Sequence, residues 1–325
     1  MTKPRSTSTD IARRAGVSRA TVSYVLNGRT DQSISEATRE RVLQAARELS
    51  YVPNAASRAL RAGESRLVLL VNAGVPWSTN ITDIEDELTR VVAETGRSLM
   101  VWRRQGPDDL SSTLAHLEPC VALSMSRLSP SEAALLETLH IPLVESDLVA
   151  PGADLPARLQ VQQLVEAGHE RLGYLTTSEE SLQRFAEPRT SGFLAACDEL
   201  ALPEPRIAAL AGGMDVSVAE VMDQLRVWLE EPDPVTAVAC FNDFHAAVCL
   251  VAAAELGLWV PSDLAVIGLD DDIFAPLTRP PLTTIRLDAK AFARYLWDLA
   301  RYELGEAPEP EPFVQPSHVV VRASV

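Results

Sequence analysis

Residues 9–27 read TDIARRAGVSRATVSYVLN, and their spacing decides what the N-terminal end of this chain is. Thr9 and Asp10 stand where a helix begins, because a short oxygen-bearing side chain caps exposed N–H groups and an acid suits the positive end of the dipole. Ile11, Ala12 and Ala15 give that helix an apolar stripe. Gly16-Val17 ends it, since glycine tolerates positive φ and valine can plug the space between two crossing helices. Ser18 is placed to cap a second helix in which Val22, Val25 and Leu26 share the inward face. Arg19, Ala20, Ser23, Tyr24 and Asn27 fall on the opposite face, the one a helix-turn-helix presents to a major groove.

Each exposed residue has chemistry suited to a duplex. Arg19 can donate two parallel hydrogen bonds to guanine O6 and N7, and Ala20 can pack on a thymine methyl. Tyr24 can reach a base or a phosphate. Ser18, Thr21, Ser23 and Asn27 offer short donors to phosphate oxygens, which fix register without reading sequence. Ser35 caps a third helix with Glu36 in its first turn and Val42, Leu43, Ala46 and Leu49 as its expected buried stripe. Residues 53–63 then form a short segment with Asn54 as cap and Gly63 as stop. So short a helix is marginal alone in water and forms only against a partner. Leu60, between Arg58 and Arg61, is either a wedge between base steps of a minor groove or a residue packed on the next domain.

Charge is divided in the same place. The chain carries −16 overall, yet residues 1–65 sum to +5 and the remainder to −21. A basic end attracts phosphate and releases counterions while the acidic remainder repels the same duplex. A chain of 325 residues, 46% hydrophobic, can bury two or three cores. Its longest apolar run, residues 246–254, is too short to span a bilayer, and a cytosolic protein is expected. Cys120, Cys197, Cys240 and Cys249 sit among apolar neighbours without a Cys-x-x-Cys pair and read as reduced core residues.

From Leu67 onward short apolar runs alternate with helical stretches. Strands are expected at 67–71, 98–102, 121–124 and 142–145, then at 172–176, 237–241 and 264–268, with a last one at 318–322. Helices are expected near 81–94, 108–117, 130–139, 158–166, 190–200, 216–230 and 244–256. Continuous hydrophobicity marks strands buried on both faces, hence two parallel doubly wound sheets. Two such lobes flank a cleft at the carboxyl ends of their strands. Arg189, Asn242 and Asp270 are the polar candidates there, although Asn242 can equally cap a helix and the run Asp270-Asp271-Asp272 can shape a turn. Trp77 can stack on a ring or sugar face, or plug the rim of the first lobe.

The motifs Asp10-Ile-Ala12, Ala15 to Gly28, Pro53-Asn-Ala55 and Arg58-Ala-Leu60 resemble the LacI/GalR family of bacterial transcription regulators. The likeness continues in Arg189 to Phe193, Phe241-Asn-Asp243, Glu255 to Pro261, Val266 to Asp271 and Pro280 to Ile285, and is weakest over residues 74–158. It implies an all-α helix-turn-helix head and an α/β, two-lobed, periplasmic-binding-protein-like body. The expected divisions are a DNA-binding domain at 1–52, a hinge helix and linker at 53–65, and an effector-binding and dimerisation body at 66–325. By resemblance Arg19, Ala20 and Tyr24 read bases. Thr7, Ser18, Thr21, Ser23 and Asn27 lie near phosphates, the hinge contributes Asn54, Arg58 and Leu60, and Arg189, Asn242 and Asp270 hold effector hydroxyls.

Those features imply a sequence-specific repressor that binds a near-palindromic operator in double-stranded DNA as a homodimer. A small molecule of the sugar or nucleoside class is its expected modulator. The alternative is a DNA-binding regulator that has lost small-molecule response and is controlled by a protein partner or by abundance. No catalytic role, cofactor or metal is expected. The five histidines lack metal spacing, and no phosphate loop or nucleophile elbow occurs.

Overall fold

The computed structural model describes residues 6–26, 34–49, 51, 65–72, 78–104, 109–146, 152–213 and 215–325. The chain divides into two compact units, Met1–Ser65 and Arg66–Val325.

In the first unit, α1 (Ser8–Ala15), α2 (Arg19–Leu26) and α3 (Glu36–Glu48) enclose a core of Ile11, Ala12, Ala15, Val22, Val25, Val42 and Ala45. Helix α1 starts two residues earlier than its composition suggests. Thr7 and Asp10 form a reciprocal capping box, each side chain bonded to the other's backbone N–H. The Thr7 hydroxyl and amide hold the Asp10 carboxyl below its ordinary range. Gly16 stops the helix at φ 63°, in the left-handed region where a side chain is strained. Ser18 caps α2 by accepting from the Thr21 amide at 3.0 Å. The expected stripe of α3 is corrected. Ala45 is buried and Leu43 is 37% exposed, because Val42, Ala45 and Leu49 lie three and seven residues apart on one face while Leu43 is rotated about 100° away.

The second unit contains two four-stranded sheets. In its first lobe β1 (Leu67–Asn72), β2 (Ser98–Arg103), β3 (Val121–Ser124) and β4 (Leu143–Glu145) run parallel in the order β2-β1-β3-β4. Helices α4 (Thr79–Glu94), α5 (Asp109–Leu114) and α6 (Pro130–Thr138) connect them. The second lobe repeats the pattern with β5 (Leu172–Thr177), β6 (Arg206–Leu210), β7 (Ala237–Cys240) and β8 (Ala265–Ile267), in the parallel order β6-β5-β7-β8. Its helices are α7 (Leu155–Glu166), α8 (Gln183–Glu199), α9 (Val218–Leu229) and α10 (Asp243–Glu255). Among the described residues the chain passes from β4 to α7 without a further strand.

After β9 (Thr284–Leu287) the chain returns to the first lobe. There α11 (Ala289–Glu303) buries Phe292, Leu296 and Trp297 against Ile84, Leu88 and Val91 of α4. Glu87 of α4 is buried between Arg90 and Arg294, which hold its carboxyl down at about 2. β10 (Ser317–Val320) then pairs antiparallel with β9. Thus the chain crosses between lobes more than once, and the cleft is hinged rather than tethered at one point. Cys197, Cys240 and Cys249 are buried and Cys120 is half-buried, all four as free thiols.

The head core is small, so a single truncation tests its independence. Ile11→Ala is expected to cost about 2–5 kcal/mol and to abolish the head's share of the far-ultraviolet helical signal. All five tryptophans lie at or beyond Trp77, so the thermal transition followed by tryptophan fluorescence should stay where it is.

Candidate DNA-reading surface and effector cleft

On α2, Val22 and Val25 are buried, whereas Arg19 and Ala20 are exposed at the helix's N-terminal end. Thr21, Ser23 and Tyr24 are partly exposed beside them, and Thr7 and Ser18 are exposed at the two caps. The Ser18 and Thr21 hydroxyls lie 2.9 Å apart, so one short polar cluster flanks Arg19. Arg14 and Glu48 tie α1 to α3 across the back of this surface at 2.7 Å. Asn27, Asn54, Arg58 and Leu60 lie outside the described residues, as does Trp77 of the first lobe.

The cleft is built on the loop after β8. Gly268 has no side chain because a Cβ there would stand 2.1 Å from Asp243 Oδ1. Asp270 and Asp271 both take positive φ, 112° and 51°, so the loop turns sharply and aims its three carboxylates in different directions. Asp270 faces Arg189, with Arg189 Nη2 donating to Asp270 Oδ1 at 3.0 Å and Nη1 to the Phe241 carbonyl at 2.7 Å. The guanidinium also lies over the Phe241 ring, 4.9 Å from its centroid. Burial pushes the Asp270 carboxyl up, and Arg189 pulls it back toward the ionised form. Asp271 turns the other way to Arg322 and Arg286, a structural pairing that pins the loop to the C-terminal strands.

Arg189 is not near a helix start as its spacing suggests. α8 begins at Gln183 and runs through Pro188, so Arg189 sits within the helix. Asn242 is the N-cap of α10: its Oδ1 accepts from the His245 amide at 2.9 Å and lies 2.7 Å from His245 Nδ1. Asp243, one residue on, is fully buried, accepts from the Asp272 amide at 2.6 Å and from the Thr284 hydroxyl. Burial raises the Asp243 carboxyl to about 7 and lowers the His245 imidazole to about 4, with Arg189 adding to the latter.

The first lobe reaches the same loop through residues that sequence reasoning did not single out. Thr79 N donates to Asp272 Oδ1 at 3.2 Å, its hydroxyl bonds the same oxygen, and Asn80 Nδ2 donates to Asp270 Oδ1 at 3.3 Å. Ser78-Thr79-Asn80 is a run of three capping residues, of which only Ser78 caps α4, by accepting from the Ile81 amide at 3.3 Å. The surplus of cap-forming side chains was the available signal.

A three-helix head with an exposed reading face and a hinged two-lobed body with a polar cleft define a DNA-binding regulator of the helix-turn-helix class. Residues 7–54 match the family of bacterial regulatory proteins, lacI family, and residues 161–325 match the periplasmic binding protein-like domain. The chain belongs to the LacI family of transcriptional regulators. It is 31% identical over 322 residues to the transcriptional regulator GalR of Salmonella typhimurium strain LT2, spanning 93% of this chain and 90% of that protein. To the ribose operon repressor of Escherichia coli K12 it is 30% identical over 298 residues, 86% and 87% of the two chains. The lac repressor dimer bound to operator and the anti-inducer ONPF superposes with a TM-score of 0.78 at 25% identity over 99% of each chain. The cellobiose complex of the regulator CelR gives 0.67 at 26% identity, over 99% of this chain and 100% of that one. No helix among the described residues is long and apolar enough to cross a membrane.

Two of the shifted groups beside the cleft, Asp243 and His245, oppose each other in pH. Asp243 titrates near 7 when folded against 3.8 ordinarily, so its contribution to stability is complete below about pH 4 and lost as pH rises to 7. His245 titrates near 4 against 6.5, so its contribution is complete above 6.5 and lost as pH falls toward 4. Relative to the parent, Asp243→Asn should therefore make the slope of stability against pH more positive between about 4 and 7, and His245→Gln should make it more negative between about 4 and 6.5. Urea unfolding followed by tryptophan fluorescence across that range checks both slopes.

Proposed function

We propose that this regulator is a repressor that binds a near-palindromic operator as a homodimer and responds to a small molecule of the sugar or nucleoside class held between its lobes. The observation that carries the reading is the exposed pair Arg19 and Ala20 at the start of α2, on a helix whose other face is buried. Arg19 reads guanine through its fork of donors and Ala20 contacts a thymine methyl. Tyr24 extends the reading face. Thr7, Ser18, Thr21, Ser23 and Asn27 hold phosphates and so fix the register. Asn54, Arg58 and Leu60 belong to a hinge at residues 53–65, between a DNA-binding domain at 1–52 and the body at 66–325. The lac repressor relative is a dimer on its operator, and a twofold dimer matches a symmetric site.

In the body, Arg189 and Asp270 are the ligand-holding pair, and Trp77 and the side-chain amide of Asn242 are further effector contacts. Arg189 uses one nitrogen on Phe241 and one on Asp270, and a guanidinium has five N–H donors, so others remain for ligand hydroxyls. A largely buried ion pair between Arg189 of α8 and Asp270, just past the carboxyl end of β8, favours a ligand-responsive protein over one controlled by abundance alone. The protein acts by binding, without catalysis, and works in the cytoplasm beside the chromosome.

Selection of genomic fragments with purified protein tests the reading, and a two-fold symmetric motif is the expected result. On that motif Arg19→Ala should weaken binding by about 1–3 kcal/mol, roughly 5- to 150-fold, and relax preference at one base pair per half-site. Gel-shift titration at fixed salt measures both, and an asymmetric motif would count against the dimer.

A further inference from the structure

Among the described residues, hydrogen bonds between the lobes converge on the loop after β8, beside the packing of Phe185 against the first-lobe core, and they use carboxylates that the ligand site needs. Asp272, buried on the second lobe, receives the Thr79 amide and hydroxyl at the N-terminus of α4. The Thr79 hydroxyl in turn accepts from the Ile273 amide at 3.4 Å, so this contact runs in both directions across the cleft. Asp272 is itself held from behind, because its amide is bonded to Asp243, and Asp243 is bonded to Thr284 of β9. One oxygen of Asp270 is shared between Arg189 of its own lobe and Asn80 of the other. The Asp270 side chain is 11% exposed. Its two partners therefore replace most of the water that an isolated carboxylate would require.

We propose that Thr79 and Asn80 form an interlobe clasp on Asp272 and Asp270 that holds the body closed in the absence of ligand. A carboxylate at a helix N-terminus meets both free N–H groups and the positive end of the dipole, which favours Asp272 seated on α4. Opening the lobes would leave Asp272 facing the cleft without the donors that its present position supplies. Asp270 is the point where the clasp and the ligand site coincide. A ligand hydroxyl that takes Asp270 Oδ1 displaces Asn80, so binding within the cleft loosens one half of the clasp while Thr79 retains the other. The bearing of the clasp on regulation rests on the effector role proposed for the cleft, but the closed ligand-free state does not.

The test therefore uses the full chain with neither DNA nor ligand. Cysteines introduced at the exposed positions Thr89 on α4 and Glu199 on α8, in a Cys120→Ser background, would carry spin labels. Pulsed electron paramagnetic resonance then reads the interlobe distance, with an excess of unlabelled chain suppressing signals between copies. A single narrow distance is expected with the clasp intact, and a broader distribution extending to longer distances in Asp272→Ala and in the milder pair Thr79→Val and Asn80→Ala. The tryptophan-monitored melting transition in each variant identifies any that has simply unfolded. A distribution that is already broad before substitution, or one unchanged in folded variants, would overturn the clasp. Neither result depends on whether the operator selection succeeds, so the two readings fail separately.

Discussion

The body depends on burying the acids of the loop after β8 without leaving any of them unpaired. An uncompensated carboxylate in a protein interior costs several kcal/mol, and each of these acids is matched by a different donor set. Asp270 has Arg189, Asp271 has Arg286 and Arg322, Asp272 has Thr79, and Asp243 has Thr284 and the Asp272 amide. Those donors come from α8, β9, the C-terminal strand region, α4 and the loop itself. One loop thereby fixes the mutual placement of both lobes and of the chain's return segment, and Gly268 is the small residue that lets Asp243 approach it.

Much of this was legible in the sequence, for identifiable reasons. Seven continuous apolar runs located β1 to β5, β7 and β8; a strand covered on both faces leaves no polar alternation, although β2, at a sheet edge, proves only partly buried. β6 escaped that rule. It is an edge strand whose exposure alternates, and its apolar run Ile207-Ala-Ala-Leu210 is half alanine, a residue depleted in strands. The N-terminal half of α8 was hidden by Pro188, which lacks an N–H and argues locally against a helix that tertiary packing nevertheless sustains. α11 is strongly amphipathic, but nothing local indicates that it returns to the first lobe to cover α4.

The site was legible in its polar residues and opaque in their partners. Arg189 and Asp270 were identifiable as charged residues beside strand ends, yet their ion pair is a contact across 81 positions. Asn242 had two readings in sequence, and the cap is the one its hydrogen bonds display. Thr79 and Asn80 were not identifiable from the sequence, since their acceptors lie 193 and 190 positions away. In the head the contrast is smaller. There the stripes of α1 and α2 and the turn between them could be read directly, and the start of α1 and the phase of α3 needed correction.

The central claim is that occupancy of the Arg189–Asp270 cleft and affinity for DNA are two ends of one equilibrium. Its most direct test is to screen ribose, cellobiose, sugar phosphates and nucleosides for shifts in the tryptophan-monitored melting transition. Affinity for the selected DNA is then measured with and without each compound that shifts it, in the unmodified protein and in Asp270→Ala. The account predicts a change in DNA affinity of between about 5- and 150-fold in the unmodified protein, the usual range of coupling between linked sites, and none in the variant. A compound that stabilises the body through Asp270 yet leaves DNA affinity untouched, or a panel in which nothing binds, would contradict it.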